Sequence, residues 1–355
     1  MSDAVQTAVV GVTGYAGAEL ARLLLHHPRL KETPPMFAGR MDERAAAKGG
    51  IALGELHPEL NDSKGRGKLR VQPFSWDLLT DVDVQVLFLA TPHEQSREWV
   101  PEALTRGMRV IDLSGAWRLK EAAHRAVYEF EDEGTPEAAE VEEQAVYGMP
   151  ELHRDAIRGA RLVANPGCYA TSVILALRPL VAAGMIDLEH GIVADAKSGV
   201  SGAGKAPTPK THFMHVADNL SAYGVFTHRH TGELLEQIGL KAEQMVFAPH
   251  LLPIPRGILA TMYVRFKEEQ TRASVLEAYR KFFAHSPMVR LQESGLPQIQ
   301  HVARTNYIDI GFELARDGKR AVIVSCLDNL LKGAAGQAVE NLNVMLGWDE
   351  AEGLE

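Results

Sequence analysis

Cysteine is scarce in this chain, with two in 355 residues. That number suits a reducing compartment and offers nothing for a disulfide framework. Excess positive charge is missing too. Lys plus Arg number 37 against 46 Asp plus Glu, giving a formal net charge of −9. No basic stripe or arm is visible, which argues against a nucleic-acid protein. No uninterrupted apolar run approaches the ~20 residues of a membrane-crossing helix. Residues 1–6 carry no charged segment followed by an apolar one, so no leader or membrane partner is expected and the expected location is cytoplasmic. Aromatic residues are few at 6%, yet 46% of the chain is apolar. That supports substantial cores, and the length suits about two domains.

Of the two cysteines, Cys326 closes an apolar β-like run from Ala321 and reads as buried structure. Cys168 is different. The short apolar strand Leu162-Val163-Ala164 stops at Asn165-Pro166-Gly167, and a helical pattern over 169–183 follows, ending at Gly184. Cys168 should then lie in the first helical turn, beside unpaired backbone N–H groups and the positive end of the helix dipole. Both favour a thiolate, and a thiol with an ordinary pKa of ~8.5 gains reactivity when that value falls by a unit or two. Most cysteines merely fill space. The Pro-Gly turn and the helix start favour a nucleophile here.

Near the N-terminus Thr7-Ala8-Val9-Val10 reads as a buried parallel strand running into Gly11-Val12-Thr13-Gly14-Tyr15-Ala16-Gly17 and a helix. A glycine trio alone can be a tight turn. Between a strand and a helix, the G-x-x-G-x-x-G spacing is a variant of the dinucleotide fingerprint, with backbone free to approach a pyrophosphate at the helix N-terminus. Gly11, Thr13, Gly14, Tyr15, Ala16 and Gly17 are the expected cofactor contacts. NAD enzymes usually place an acid about 20 residues further on; here Ala38-Gly39-Arg40 puts an arginine there, which suits the 2′-phosphate of NADP, with Asp42 close by as a counter-signal. Residues 45–73 lack clear periodicity and read as a surface excursion. Apolar strands at 84–90 and 109–113 bracket a helix at 94–106, so a doubly wound parallel α/β sheet is expected, with ligands beyond the strand C-termini. His93 on that rim reads as a hydrogen-bonded residue. Arg118, following Asp112-Leu-Ser-Gly-Ala-Trp, carries a fork suited to phosphate or carboxylate.

The acidic stretch 120–144 carries no recognisable chemistry. Beyond the Cys168 helix, a strand from Gly191 empties into Ser198-Gly-Val-Ser-Gly-Ala-Gly204-Lys205, a small-residue loop in which Lys205 is a candidate phosphate contact. His212, His215, His228 and His230 then follow. Zinc is a rival reading, but no second cysteine or H-E-x-x-H pattern accompanies them, and no metal is expected. His228 and His230, with Glu233 nearby, look instead like a thiol-activating imidazole, a supporting one and an orienting carboxylate. Spacing alone leaves open which imidazole activates the thiol. Arg256 ends a Pro-rich stretch before an alternating strand at 258–266 and is grouped with the substrate-side residues. A helix at 271–284 and strands at 307–313 and 321–326 complete an α+β second domain with a mixed or antiparallel sheet. The expected division is 1–167 for the nucleotide domain, completed by a returning helix within 329–355, and 168–328 for the catalytic domain.

Together, Gly14-Tyr-Ala-Gly17, Asp112-Leu-Ser-Gly-Ala-Trp-Arg118, Tyr147-Gly-Met-Pro-Glu151, Asn165-Pro-Gly-Cys-Tyr169, Ser198-Gly-Val-Ser-Gly-Ala-Gly204, His228-Arg-His230, Pro249-His-Leu and Asp328-Asn-Leu-Leu-Lys-Gly-Ala-Ala-Gly336 resemble the N-acetyl-gamma-glutamyl-phosphate reductases. These are NADPH-dependent enzymes of arginine biosynthesis related to aspartate-semialdehyde dehydrogenase. The resemblance runs almost end to end. It implies Cys168 as nucleophile and His228 as the imidazole beside it. It further implies Arg118 as an acyl-phosphate ligand, Ser198 and Gly199 as cofactor neighbours, Asn329 near the nicotinamide, and a homodimer or homotetramer. One departure is Ala38-Gly39-Arg40, where relatives often carry a serine-rich turn. The alternatives are a reductase of carrier-bound aminoadipyl phosphate in lysine biosynthesis, a non-catalytic NADP-binding sensor and a Cys-His hydrolase. The last would not need the glycine-rich turn.

Overall fold

The computed structural model describes residues 4–355; part of the N-terminal segment read for a leader, 1–3, lies outside them. Two sheets organise the chain. The first contains β1 (Thr7–Val10), β2 (Met36–Gly39), β3 (Ile51–Ala52), β4 (Arg70–Pro73), β5 (Val86–Leu89), β6 (Arg109–Asp112), β7 (Ala145–Tyr147) and β8 (Leu162–Ala164). Their order is β3-β4-β2-β1-β5-β6-β8-β7, and every pairing is parallel except β3 with β4. The central strands β1 and β5 are buried at every position because both faces are covered. Val9, Phe37 and Phe88 pack on one side with Leu20, Leu24 and Leu342. On the other side Ala8, Val10 and Leu87 meet Trp99 and Val100.

Strands before β5 are added on one side of β1 and those from β5 on the other, which makes the β1–β5 gap the switch point at which open α/β sheets bind ligands. The glycine turn leaves β1 there. Gly11 adopts φ +99, and a Cβ on it would stand 2.3 Å from the Ala90 carbonyl oxygen, so the turn closes against the end of β5 only with glycine.

The second sheet contains β9 (Ile192–Gly199), β10 (Ser221–Ala222), β11 (Met245–Leu252), β12 (Ile258–Arg265), β13 (Val289–Leu291), β14 (Ile308–Leu314) and β15 (Arg320–Leu327). Its order is β10-β11-β9-β12-β15-β14-β13, with parallel and antiparallel pairs mixed. Ala194, Ala196, Ala260 and Met262 turn one face onto the buried helix Cys168–Ala182. The opposite face is covered over Val324 and Cys326 by the helix Ile299–Val302 and is open elsewhere, leaving Val193 40% and Tyr263 47% exposed.

Three expectations need correction. Residues 45–73 are no mere excursion. They supply β3 and β4 and bury Leu53, Leu60 and Val71, short elements whose periodicity is too brief to read. Both β7 and β11 also went unread, the first for its three residues and the second because Pro249 interrupts its pattern. The last segment begins as a π-helix, Leu331–Ala335, before the α-helix Gly336–Leu346. Val339 and Leu342 of that helix pack in the core of the first sheet. No helix among the described residues is long and apolar enough to cross a membrane.

Candidate active site

Cys168 is the first residue of its helix, whose N-cap Gly167 makes no side-chain cap. The thiol is partly buried. Burial pushes its pKa up, against the opposing pull of the Tyr169 backbone N–H and then the Arg229 and Arg118 guanidinium groups. The depressed value expected from the helix start is therefore corrected. Desolvation of the anion outweighs these pulls.

Two cavities meet at Cys168. The first, about 520 Å³, is lined by Gly14, Tyr15, Ala16 and Gly17 of the glycine turn and by Arg118, Lys205 and Asn329. The second, about 590 Å³, is lined by Tyr169, Ser198, Lys210, Tyr223 and His228. Cys168, Gly202, Arg229 and His230 border both.

The glycine turn fits a dinucleotide. A Cβ on Gly17 would lie 2.3 Å from the Gly11 carbonyl oxygen, whereas one on Gly14 would meet nothing closer than 3.9 Å. Gly17 thus packs the helix onto the turn, and Gly14 leaves its approach open. The helix Tyr15–His26 starts without a side-chain cap, so its first N–H groups face the cavity free for phosphate. Lys205 Nζ donates to the Thr13 carbonyl at 3.1 Å, which sets it on the cofactor side rather than at the substrate. Asn329 accepts the Gly257 N–H at 2.7 Å and donates to Ser201 Oγ at 2.9 Å, fixing the small-residue loop above the first cavity. Gly199 lines neither cavity. Its bare Cα lets residues 254–256 pass, since a Cβ would stand 2.8 Å from the Arg256 nitrogen. Arg40 is exposed at the end of β2, its guanidinium 5.7 Å from the Trp99 ring centroid.

Glu233 was expected beside substrate and imidazole. It is instead fully buried, accepting from Arg118 Nη1 at 3.1 Å, the Tyr147 hydroxyl at 2.7 Å and the Gly167 N–H at 2.9 Å. Both oxygens are committed, so Glu233 holds the cysteine turn rather than a ligand. Arg118 is correspondingly no free fork: Nη2 donates to the Leu113 carbonyl at 2.8 Å, and only Nε lacks a partner. Burial works against its charge, but Glu233 outweighs it and the guanidinium is held more firmly protonated than usual. Arg256 is also corrected. It pairs with Glu19 and, at 3.4 Å, with Asp328, clasping the second sheet to the glycine-turn helix away from both cavities.

The histidines divide as well. His230 is 5% exposed and leans on the cysteine turn, where a Cβ on Gly167 would lie 2.4 Å from its Nε2. His228 Nδ1 accepts the His230 N–H at 3.1 Å, and its ring sits edge-on to Tyr169, Tyr223 and Phe247. Burial, then Arg229, lowers His228 to about 4. Burial, then His228, takes His230 well below the usual range. Both rings are neutral near pH 7, so neither imidazole activates the thiol by carrying a positive charge. The fixed charge comes from Arg229, which sequence reading passed over although it stands between the two histidines. His212 and His215 lie on an exposed segment, and no cluster of His, Cys, Asp and Glu among the described residues has metal-holding geometry.

Comparison with known proteins gives this geometry a family. The model for the semialdehyde dehydrogenase NAD-binding domain matches residues 6–160, and that for the semialdehyde dehydrogenase dimerisation domain matches 168–329. The N-acetyl-gamma-glutamyl-phosphate reductase of Methanocaldococcus jannaschii is 41% identical over 352 residues, covering 98% of this chain and 97% of that protein. The protein of the same name from Geobacillus stearothermophilus is 41% identical with the same coverage. Among solved structures, aspartate semialdehyde dehydrogenase II from Vibrio cholerae, complexed with ASA, superposes with a TM-score of 0.69 at 18% identity, over 97% of this chain and 98% of that one. Aspartate semialdehyde dehydrogenase with NADP from Candida albicans gives 0.65 at 14%, over 97% and 98%. These two show a shared fold. The two-domain α/β architecture and the near full-length identity together make this chain a member of the N-acetyl-gamma-glutamyl-phosphate reductase family, nicotinamide-dependent oxidoreductases.

Proposed function

We propose that this chain reduces N-acetyl-gamma-glutamyl phosphate to N-acetylglutamate semialdehyde with NADPH, through a thioester on Cys168. One observation carries the reading. Cys168 stands where a glycine-turn cavity fitted to a dinucleotide meets a second cavity, so a cofactor and an acyl group can reach one residue from two adjoining cavities. A bound nicotinamide supplies the hydride. The chain supplies the rest. Cys168 attacks the acyl carbon and lets phosphate depart, splitting one hard step into two. The neutral His230, which borders both cavities and turns Nε2 towards the cysteine turn, is placed to accept or return a proton at that atom, and its backbone N–H is held by His228 Nδ1.

NADP is preferred over NAD in this reading because Arg40 occupies the position at which an acid would bind the ribose hydroxyls. Residues 1–167 with the C-terminal helix form the nucleotide domain, and 168–328 the catalytic one. The uncovered part of the second sheet's outer face, with exposed Val193 and Tyr263, supports a homodimer or homotetramer. The test is absorbance at the nicotinamide band with N-acetylglutamyl phosphate and NADPH, repeated with NADH and with Cys168→Ser. Turnover by wild type alone, fastest with NADPH, is expected. No oxidation, or an active Cys168→Ser enzyme, would contradict the proposal.

A further inference from the structure

Transfer of an acyl group from phosphate to sulfur develops negative charge on the departing phosphoryl oxygens, so the site needs a fixed cation beside the reacting sulfur. Four residues border both cavities: Cys168, Gly202, Arg229 and His230. Gly202 has no side chain and His230 is neutral near pH 7. Arg118 borders only the first cavity, with Nη1 on Glu233 and Nη2 on Leu113. Lys205 is turned onto the Thr13 carbonyl. Arg229, by contrast, has no ion-pair or hydrogen-bond partner among the described residues, is exposed, and borders both cavities.

We infer that Arg229 is the phosphate ligand of this site: its guanidinium holds the phosphoryl oxygens while Cys168 attacks the adjoining carbonyl carbon. The inference rests on the acyl-phosphate reading above. In the step, the Cys168 sulfur forms the C–S bond and the C–O bond to phosphorus breaks with its electron pair going to the phosphate, which also ends with the thiol proton. No electrons enter or leave. The substrate has a second anion, its carboxylate, but the two are separated along the molecule. The phosphoryl group is one bridging oxygen from the carbon that meets Cys168, while the carboxylate lies at the far end of the acyl chain. A cation at the cavity junction serves the nearer anion. Lys210, which borders only the second cavity, is placed for the distant one. The same charge helps the thiolate, since Arg229 is the strongest side-chain influence lowering the Cys168 pKa.

The reverse reaction separates the two anions into different molecules. With wild type, Arg229→Gln and Arg229→Lys, initial rates of NADP reduction are measured against inorganic phosphate at fixed semialdehyde, and against semialdehyde at fixed phosphate. Arg229→Gln should raise the KM for phosphate about tenfold or more, the scale of losing a charge-assisted hydrogen bond. The KM for semialdehyde should stay within about twofold, and Arg229→Lys should fall between. A rise confined to the semialdehyde KM would assign Arg229 to the carboxylate and overturn the inference, as would no change in either. A companion measurement does not depend on the acyl substrate: inorganic phosphate should slow iodoacetamide alkylation of Cys168 in wild type and not in Arg229→Gln. Protection that survives in Arg229→Gln and vanishes in Arg118→Gln would move the phosphate site to Arg118. Phosphate protection without any turnover of N-acetylglutamate semialdehyde would sink the substrate assignment and leave the Arg229 assignment supported.

Discussion

At the scale of single residues, burial and fixed charge surround Cys168, and neither neighbouring histidine is charged near pH 7. Cys168 has two permanent cations near it and two neutral imidazoles, so His228→Asn should leave its alkylation pKa within a few tenths of a unit, and Arg229→Gln should raise it. An upward shift in His228→Asn alone would restore the imidazolium model. Cys326 provides the internal control. Burial on β15 pushes its thiol up to about 12, with Asp309 adding to the effect. Native alkylation near pH 8 followed by peptide mapping should therefore label Cys168 and spare Cys326. The positions of Cys168, the glycine turn and the histidine pair at one site were legible because each breaks a pattern at a strand or helix boundary. The roles of Glu233 and Arg256 were not, because a charge looks the same in sequence whether it faces substrate or a buried partner. Distance along the chain hides the Glu233 network, which joins Leu113, Arg118, Tyr147 and Gly167.

At the scale of elements, glycines decide how closely the parts of the site approach. Gly167 leaves room for His230, and Gly333 in the π-helix leaves room for Cys168, whose Cβ would be 2.8 Å from an added methyl. Gly167→Ala must displace His230 or the Cys168 helix. It should lower kcat at least tenfold while NADPH binding, followed by fluorescence, stays near wild type. Unchanged kcat would show that the contact has no part in catalysis. Glu233→Gln tests the other support of the same turn. It leaves the Arg118 guanidinium buried without its counter-charge, a change that typically costs about 3–5 kcal/mol. Denaturant unfolding should show a loss of that order. A loss below about 1 kcal/mol would mean that the pair is solvated and the turn held elsewhere. Strands of the two sheet cores were readable from apolar runs and alternation. The pieces within 45–73 were not, since β3 and β4 derive their order from pairing rather than from pattern.

At the scale of the whole molecule, the fold gathers both cavities around one helix start and stores neutral histidines there, which links stability to pH. A histidine with an ordinary value of 6.5 in the unfolded chain and about 4 in the folded one binds protons more readily when unfolded. Stability is therefore full above about pH 6.5 and declines as pH falls towards 4, with His230 contributing in the same direction. His228→Asn should flatten that decline in thermal melts across the window; an equally steep decline would place the acid sensitivity in other groups. The thioester on Cys168 remains the claim on which the chemistry turns, and mass spectrometry of enzyme mixed with N-acetylglutamyl phosphate in the absence of NADPH tests it most directly. The account predicts one N-acetylglutamyl adduct on the peptide bearing Cys168, absent in Cys168→Ser and discharged when NADPH is added. An adduct on another residue, or full turnover in Cys168→Ser, would contradict it.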